Sequence, residues 1–413
     1  MACYLLVDPL GDYAERQKNF LDRLGLDAVA IFSSRVRQAK WQHKWRHRLG
    51  AHVIGEFLVE DDVATVAQQI VDAHGADGFF GVVPWDEMHV VLAAELSDRL
   101  RLDWNSKDVL LRFRDKYRMK AWLREMSEVR VNKSRVVTSA AEALEFQQKV
   151  DRWPLVVKPT TAAGAVGVSF AHGPEQLLRY CQQVMESGLG EVLLEEFIGG
   201  REFAVNGLVD RNGDFLATDV WAYDKRASHG IPNLYYQSIK ISTGGLFHSL
   251  ASYAADVVQT LGLRRSPVHM EVKVDDRGPC LIEVGARMAG GDQPVLASKL
   301  HGRSLFELAV CHYLDELPLS PEEVSYARYD LLEARIVSGI QSAIVPEVHV
   351  LHGYEEVRQL PSFEDFGFFW PPGTSVPVTR DLNTKSYEVY LMHEDALQVE
   401  HDARVVRAVL RYE

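Results

Sequence analysis

The sequence predicts an α/β unit at the N-terminus followed by α+β units, and three features predict it. Short apolar runs alternate with longer amphipathic segments over the first hundred or so residues. From about Asp115 the texture changes to a cationic helix and then to strand-like pairs joined by turns. After a proline-bearing break at residues 318–321 the remainder alternates short apolar runs with turns and closes on one amphipathic segment. A chain of 413 residues is too long for one core, so two or three packed units are expected.

The apolar runs at 4–7, 28–32 and 79–83 give a βαβ rhythm, hence a parallel sheet covered by helices with a crevice at the carboxyl ends of its strands. Residues 84–87 reach that crevice, which makes Glu87 a candidate substrate contact. Only one glycine follows the first strand, so dinucleotide binding is not expected there. Next come a helix over DKYRMKAWLREM and strands at 135–137 and 155–158. The segment 191–220 reads as adjacent strands with a turn at 210–213, and a polar loop runs from there to about Gln237. A helix at 246–261 precedes a hairpin whose strands, 268–274 and 280–284, flank the turn DDRGP. A last helix covers 394–410. Internal repeats and low-complexity tracts are missing, which removes solenoid readings.

Composition is that of a globular protein, 47% hydrophobic and 25% charged, and the net charge of -13 opposes binding to a phosphate backbone. The basic run RVRQAKWQHKWRHR at 35–48, with Trp41 and Trp45, is the one strand-stacking candidate, and a solvated helix or loop is the preferred reading. No nucleic acid and no membrane are expected as partners. Cys3, Cys181, Cys280 and Cys311 are scattered, without metal or redox spacing, and the start carries neither a basic leader nor a long apolar run. The cytoplasm is the expected location.

Four segments carry chemistry. In LVVKPTTAAGAVGV a strand ends in Lys158 and enters a small-residue loop with Gly164 and Gly167, which reads as a backbone cradle for phosphate or as a tight turn. In LLEEFIGGREFAV the carboxylates Glu195, Glu196 and Glu202, with Phe197 and Ile198, suit an adenosine or make a solvated hairpin. HMEVKV and LIEVGAR place Glu271 and Glu283 on strands joined by a turn, where two carboxylates serve Mg, which takes oxygen ligands and completes its shell on phosphates. His269 shares a strand face with Glu271 and is read first as structural. Arg287 and the turn through Gly290 and Gly291 follow, placing a guanidinium for a transferred phosphoryl group or an oxyanion, or for a salt bridge to those two glutamates.

In order and spacing DKYRMK with Lys116, KPTTAAGAVGV, EEFIGGRE, HMEV and IEVGAR resemble the ATP-grasp superfamily over residues 115–294. The resemblance implies an N-terminal domain (1–112), a two-lobed ATP-binding core (113–318, with a lid lobe to about 190) and a C-terminal α+β subdomain (319–413). It implies that Lys116 and Lys158 hold phosphates, that Glu195, Glu196, Phe197 and Ile198 line an adenine hinge, and that Glu202 takes the ribose. Glu271 and Glu283 would carry Mg, with Mn as its substitute, while Lys225 would touch phosphate and His229 would lie near substrate. Gly285 stands where many relatives have asparagine, which removes one metal ligand, and Ala165 stands where serine is frequent. Within the superfamily, EVGARMAGG is similar to bacterial L-amino acid ligases that make dipeptides, in which a large aromatic residue can occupy the position of Gly291. The implied reaction joins an amino acid carboxylate to an amine through an acyl phosphate, with ATP and Mg as cofactors and amino acids as substrates. Loading of an amino acid onto a carrier protein or small metabolite, and a non-catalytic nucleotide-binding module, are the alternatives. A homodimer is the oligomer considered.

Overall fold

The computed structural model describes residues 3–7, 19–33, 53–59, 63–75, 79–84, 87, 89–162, 164, 166–291, 293–314, 324–348, 350–368, 370 and 372–412. The basic run at 35–48, the break at 318–321 and Ala165 lie outside the described residues. Strands β1 (Cys3–Val7), β2 (Asp27–Ser33), β3 (Val53–Val59) and β4 (Phe79–Pro84) form an all-parallel sheet in the order β3-β2-β1-β4. The βαβ reading is borne out, and Glu87 follows β4 at the carboxyl edge, as the crossover rule requires.

Two helices then run end to end. Ser106 caps Lys107–Arg114 by accepting from the Val109 N–H, and Asp115 leaves helical geometry (φ −104, ψ 111) to cap Lys116–Met126 through the Tyr117 and Arg118 N–H groups. This cap starts the second helix at Lys116, and one turn later Lys120 falls on the same face. Both lysines are therefore buried together, at 6% and 0% exposure.

A small antiparallel sheet follows, built from β5 (Ser134–Val137), β6 (Leu155–Pro159), β7 (Ser169–Ala171) and β8 (Val192–Glu196) in the order β5-β8-β6-β7. The helices Ala140–Val150 and Pro174–Ser187 cover it, giving this lobe a core of its own around Phe146, Leu155, Val157 and Leu177. The chain then crosses to a second, larger sheet. Gly200 sits in the crossing with φ +80, and a Cβ there would lie 2.0 Å from the Val274 carbonyl oxygen, so only glycine fits.

The larger sheet holds β9 (Arg201–Val209), β10 (Phe215–Ser228), β11 (Ile231–Lys240), β12 (Ser266–Asp275) and β13 (Gly278–Gly285). Its C-terminal part adds three of the strands β14 (Glu333–Ser338), β15 (Leu351–His352), β16 (Phe363–Phe368), β17 (Tyr387–His393) and β18 (Arg411–Tyr412). The order is β13-β12-β9-β10-β11-β14-β17-β16, while β15 pairs with β18 apart from it. Three sequence readings change here. The strands at 191–220 are not all adjacent, because β8 and β9 belong to different sheets, so EEFIGG is a crossing between lobes and not a hairpin. The polar loop expected up to Gln237 is the long antiparallel pair β10–β11. The C-terminal residues continue the large sheet through β11–β14 pairing and pack a second core on its far face beneath the helix Ala396–Val409. The β12–β13 hairpin and the helix Gly245–Leu261 stand where expected.

Candidate active site

The β12–β13 register pairs Glu271 directly with Glu283, so adjacent strands carry both carboxyls to one face. Their environments differ. Burial pushes Glu271 up to about 7, the nearby Glu283 and Glu202 charges adding to it against Lys225. Burial acts on Glu283 in the same sense, but Lys116, Lys158 and Arg287 outweigh it and hold this carboxyl near 2. Tyr235 donates to Glu271 Oε1 at 3.1 Å, and Lys116 Nζ lies 3.2 Å from Glu283 Oε2.

His269 is fixed as a neutral ring. Asn206 spends its amide N–H groups on Asp219 and Gln293, which leaves its Oδ1 to accept from His269 Nδ1 at 2.7 Å. Burial, with Arg287, lowers its pKa to about 3, and the bare Nε2 faces Glu271 Oε1 at 4.0 Å.

Each expected cation is engaged by a carboxylate. Lys158 Nζ is 2.9 Å from Glu195 Oε2, and Lys120 Nζ is 2.5 Å from Oε1 of the same group. Despite its burial, these two lysines hold Glu195 down to about 2. Glu195 is thus a counter-ion for the two lysines as well as part of the cavity wall, a partnership the sequence reading did not include. Arg287 donates to Glu87 Oε2 from Nη2 at 3.1 Å and Nε at 3.3 Å, and Arg114 takes Oε1 at 3.0 Å. The salt bridge of Arg287 is therefore to Glu87, 200 positions earlier, and not to the metal-type glutamates.

The crossing segment is tied at both ends. Glu196 receives Asn132 Nδ2 at its carbonyl and sends its N–H to Lys133, while its carboxylate stands 3.7 Å from Arg152 and 3.6 Å from Arg277. Lys273 Nζ donates to Ile198 O at 3.1 Å and lies 4.7 Å from the Phe197 ring centroid. Glu202 accepts from Lys225, whose ammonium sits 4.0 Å over the Tyr235 ring. Asn132 keeps a buried Oδ1 beside this segment that has no hydrogen-bond partner among the described residues.

A cavity of about 1220 Å³ opens between the lobes, enough for a nucleotide and a second small molecule. Lys116, Lys158, Glu271, Glu283 and Arg287 all line it. So do Gly164 and Gly167, whose φ values of +68 and +74 lie in the left-handed region, together with Glu195, Glu196, Phe197, Ile198, Glu202, Lys225, His269, Gly290 and Gly291. His229 does not line the cavity. It occupies the β10–β11 tip at φ +40, where its Nε2–H donates to the Thr379 carbonyl at 2.7 Å. Glu87 does not line the cavity and acts on it through Arg287, with its charge also felt by Lys116. Sequence reasoning missed Lys120, whose signal was its spacing of four from Lys116, as well as Asn132, Tyr235 and the C-terminal lining residues, which have no local signature.

The donor set fits a divalent ion that takes two protein oxygens and completes its shell elsewhere, and among the described residues no three His, Cys, Asp or Glu side chains gather as a metal cage. Gly285 adds no ligand, and a Cβ there would lie 3.5 Å from Glu87 Oε2 and 3.4 Å from Arg287 Cγ, in the space the ion pair uses. Among the described residues no helix is long and apolar enough to cross a membrane.

Comparison with known proteins agrees with this architecture. Residues 151–294 match the family model of the ATP-grasp domain. It is 31% identical over 230 residues to dapdiamide A synthase of Enterobacter agglomerans, a match covering 54% of each chain. A match to the carbamoyl phosphate synthase large chain of Streptomyces avermitilis is 26% identical over 207 residues and covers 48% of this chain and 19% of that one. The protein thus spans about half the length of the first relative and a fifth of the second. In fold it is similar to the crystal structure of L-amino acid ligase from Bacillus licheniformis, with TM-score 0.76 and 18% identity over 100% of this chain and 98% of the other. Phosphoribosylglycinamide synthetase from Anaerococcus prevotii gives TM-score 0.70 at 16% identity over all of both chains. The whole chain therefore shares the fold of these two structures.

Proposed function

We propose that the protein is an ATP- and Mg-dependent, ADP-forming ligase that joins an amino acid carboxylate to an amine through an acyl phosphate, the product being a dipeptide. The observation that carries this reading is the convergence of Lys116, Lys158, Glu271, Glu283 and Arg287 on one cavity between two lobes. Similarity to dapdiamide A synthase over half the chain and to an L-amino acid ligase in fold supports it.

In this reading Phe197, Ile198 and the open Asn132 Oδ1 receive the adenine, Glu202 receives the ribose, and the Gly164–Gly167 loop with Lys116 and Lys158 receives the phosphates. Glu271 and Glu283 are the residues that would hold Mg, which when bound neutralises phosphate charge during transfer. The substrate carboxylate attacks the γ-phosphorus in line and ADP leaves, Lys158 and Lys116 absorbing charge around the transferred group. The amine then attacks the acyl carbonyl, the bond to phosphate breaks, and the amine proton departs with inorganic phosphate. Arg287, held in place by Glu87, steadies the oxyanion. The small-sheet lobe acts as the lid, 113–318 as the core and 319–413 as the substrate-side layer. The buried free thiols of Cys181, Cys280 and Cys311 suit a cytoplasmic setting.

The deciding experiment incubates the protein with ATP, Mg and each common L-amino acid, singly with hydroxylamine and in pairs, measuring phosphate release and product mass. Amino acyl hydroxamates and dipeptides are expected. ATP binding without phosphate release on any carboxylate would leave only the nucleotide-binding module.

A further inference from the structure

The cavity has a second charged wall, built by the C-terminal layer and distant in sequence from every superfamily-like segment. Arg380, Lys385 and Glu388 line it. Glu388, at 5% exposure on β17, is pinned from two sides, by the Lys385 ammonium on Oε1 and by the Tyr390 hydroxyl on Oε2 at 2.7 Å. Lys385 thereby spends its charge on Glu388. Arg380 does not: among the described residues its guanidinium has no hydrogen-bond or ion-pair partner, and only its backbone N–H is engaged, by Thr384 Oγ1 at 2.8 Å. The adjacent carboxylate of Asp381 is taken up by the Thr384 N–H and hydroxyl, at 3.1 and 2.9 Å. Asp381 keeps its charge, since Thr384 offers it only neutral donors, and the wall is balanced in sign; what it offers a ligand is the exposed Arg380 guanidinium, the side chain best shaped for a carboxylate.

This wall adjoins the reacting end of the cavity. Gly291 lies four positions after Arg287, and a Cβ placed on it would be 3.4 Å from Glu388 Oε2. The short turn through Gly290 thus brings the oxyanion guanidinium and the C-terminal carboxylate to one region, although β13 and β17 are far apart in the sheet order. Arg380, Glu388 and Arg287 all line this one cavity, so an amino acid whose carboxylate pairs with Arg380 has Glu388 as a carboxylate for its amine on the same wall.

We propose that Arg380 and Glu388 form the subsite for the amine substrate, and that this substrate is an α-amino acid whose free carboxylate pairs with Arg380. The proposal rests on the ligase reading above and deepens it. Its test separates the two. Hydroxylamine, a small amine without a carboxylate, first identifies the amino acid that the full-length enzyme activates. That acid is then offered with each common L-amino acid as the amine, and with the same amines as their carboxamides.

The expected result is dipeptide from free amino acids in preference to carboxamides, and in Arg380→Gln a fall of about 10- to 100-fold in dipeptide formed per hydroxamate formed, as loss of a charged hydrogen bond implies, with the preference over carboxamides gone. Glu388→Gln should raise KM for the amine more than it lowers kcat. A wild-type enzyme that makes hydroxamate but takes carboxamides as readily as free acids, or an Arg380→Gln enzyme with an unchanged product ratio, overturns the subsite and leaves the ligase standing. Absence of hydroxamate with every acid overturns the ligase reading itself.

Discussion

The Nζ of Lys158 lies 2.9 Å from Oε2 of Glu195, a carboxylate whose other oxygen is held by the fully buried Lys120. The lysine at the end of β6 is thus pre-positioned by a counter-ion on the neighbouring strand β8, where Val156 pairs with Glu195 in register. In the proposed reading, a lysine bound this way would meet an incoming phosphate already oriented, and Lys120 would keep Glu195 compensated when Lys158 turns to its ligand.

Glu195→Gln should therefore lower stability by about 3–5 kcal/mol, because it leaves two buried ammonium groups without a charge partner. The sign with pH follows from the carboxyl being held near 2, below its usual 4.5. Its contribution is complete above about 4.5 and is lost as pH falls toward 2. Urea melts between pH 2.5 and 7 should show a shallower acid limb in Glu195→Gln than in wild type. The pair Lys120→Met with Glu195→Gln should cost less than the sum of the single changes. An additive double variant would show that the two groups do not interact.

The facing glutamates should separate stability from activity. Glu271 is raised to about 7 by burial, so near pH 8 its charge is kept at a cost, and Glu271→Gln should melt no lower than wild type there. In wild type this group's contribution declines as pH rises from about 4.5 through 7, since the folded state holds the proton that the unfolded chain has released. Glu283→Gln strips Lys116 of its partner and should melt lower. Both changes should reduce ATP-dependent phosphate release by about 100-fold or more. Calorimetric melts beside an activity assay check this, and full activity in either variant would remove it from the metal-holding role.

What the sequence revealed and concealed has a physical pattern. The β12–β13 hairpin was legible because its turn DDRGP and its period-two alternation are local, and register then followed from the turn. The helix starting at Lys116 was legible from its composition, and its start is fixed by the Asp115 cap. The β10–β11 pair reads as a loop in sequence because one face lines a polar cavity, so it lacks the apolar alternation of a packed strand, and because its tip places His229, not only Gly230, at positive φ. The partners of Arg287 and Glu195 were hidden for another reason: Glu87 lies 200 positions from one, and Lys120 lies 75 from the other. Long-range antiparallel pairing of β11 with β14 likewise leaves no local trace, which is why the sequence suggests a separate C-terminal subdomain.

Glu87 should behave as a positioning residue for Arg287. Its two oxygens hold Arg114 and Arg287 in a buried bridge, and Arg287 stays charged despite burial because Glu87 and Glu283 offset the desolvation. Arg287→Lys loses the fork that takes two donors to one carboxylate, and kcat should fall by about 100-fold with ATP binding retained. Glu87→Gln should lower kcat by about 10- to 100-fold, as expected for a group acting through its neighbour, and Glu87→Asp should recover part of it. If Glu87→Gln shifts only KM for ATP, the bridge does not orient Arg287.

Gly291 offers a test of pocket size with a built-in control. Its φ of +64 is unfavourable for any side chain, so Gly291→Ala should cost about 1–2 kcal/mol through backbone strain alone. Its Cβ would stand 3.4 Å from Glu388 Oε2, ordinary contact, so the alanine itself fits and should leave the range of accepted amino acids close to wild type. Gly291→Trp carries the same strain but fills the space between Arg287 and the C-terminal wall, and it should restrict the enzyme to the smallest amino acids. Comparing the two variants over a panel of common amino acids by phosphate release separates strain from occlusion. An unchanged preference in Gly291→Trp, with stability reduced as in Gly291→Ala, would mean that substrate side chains do not lie against this turn.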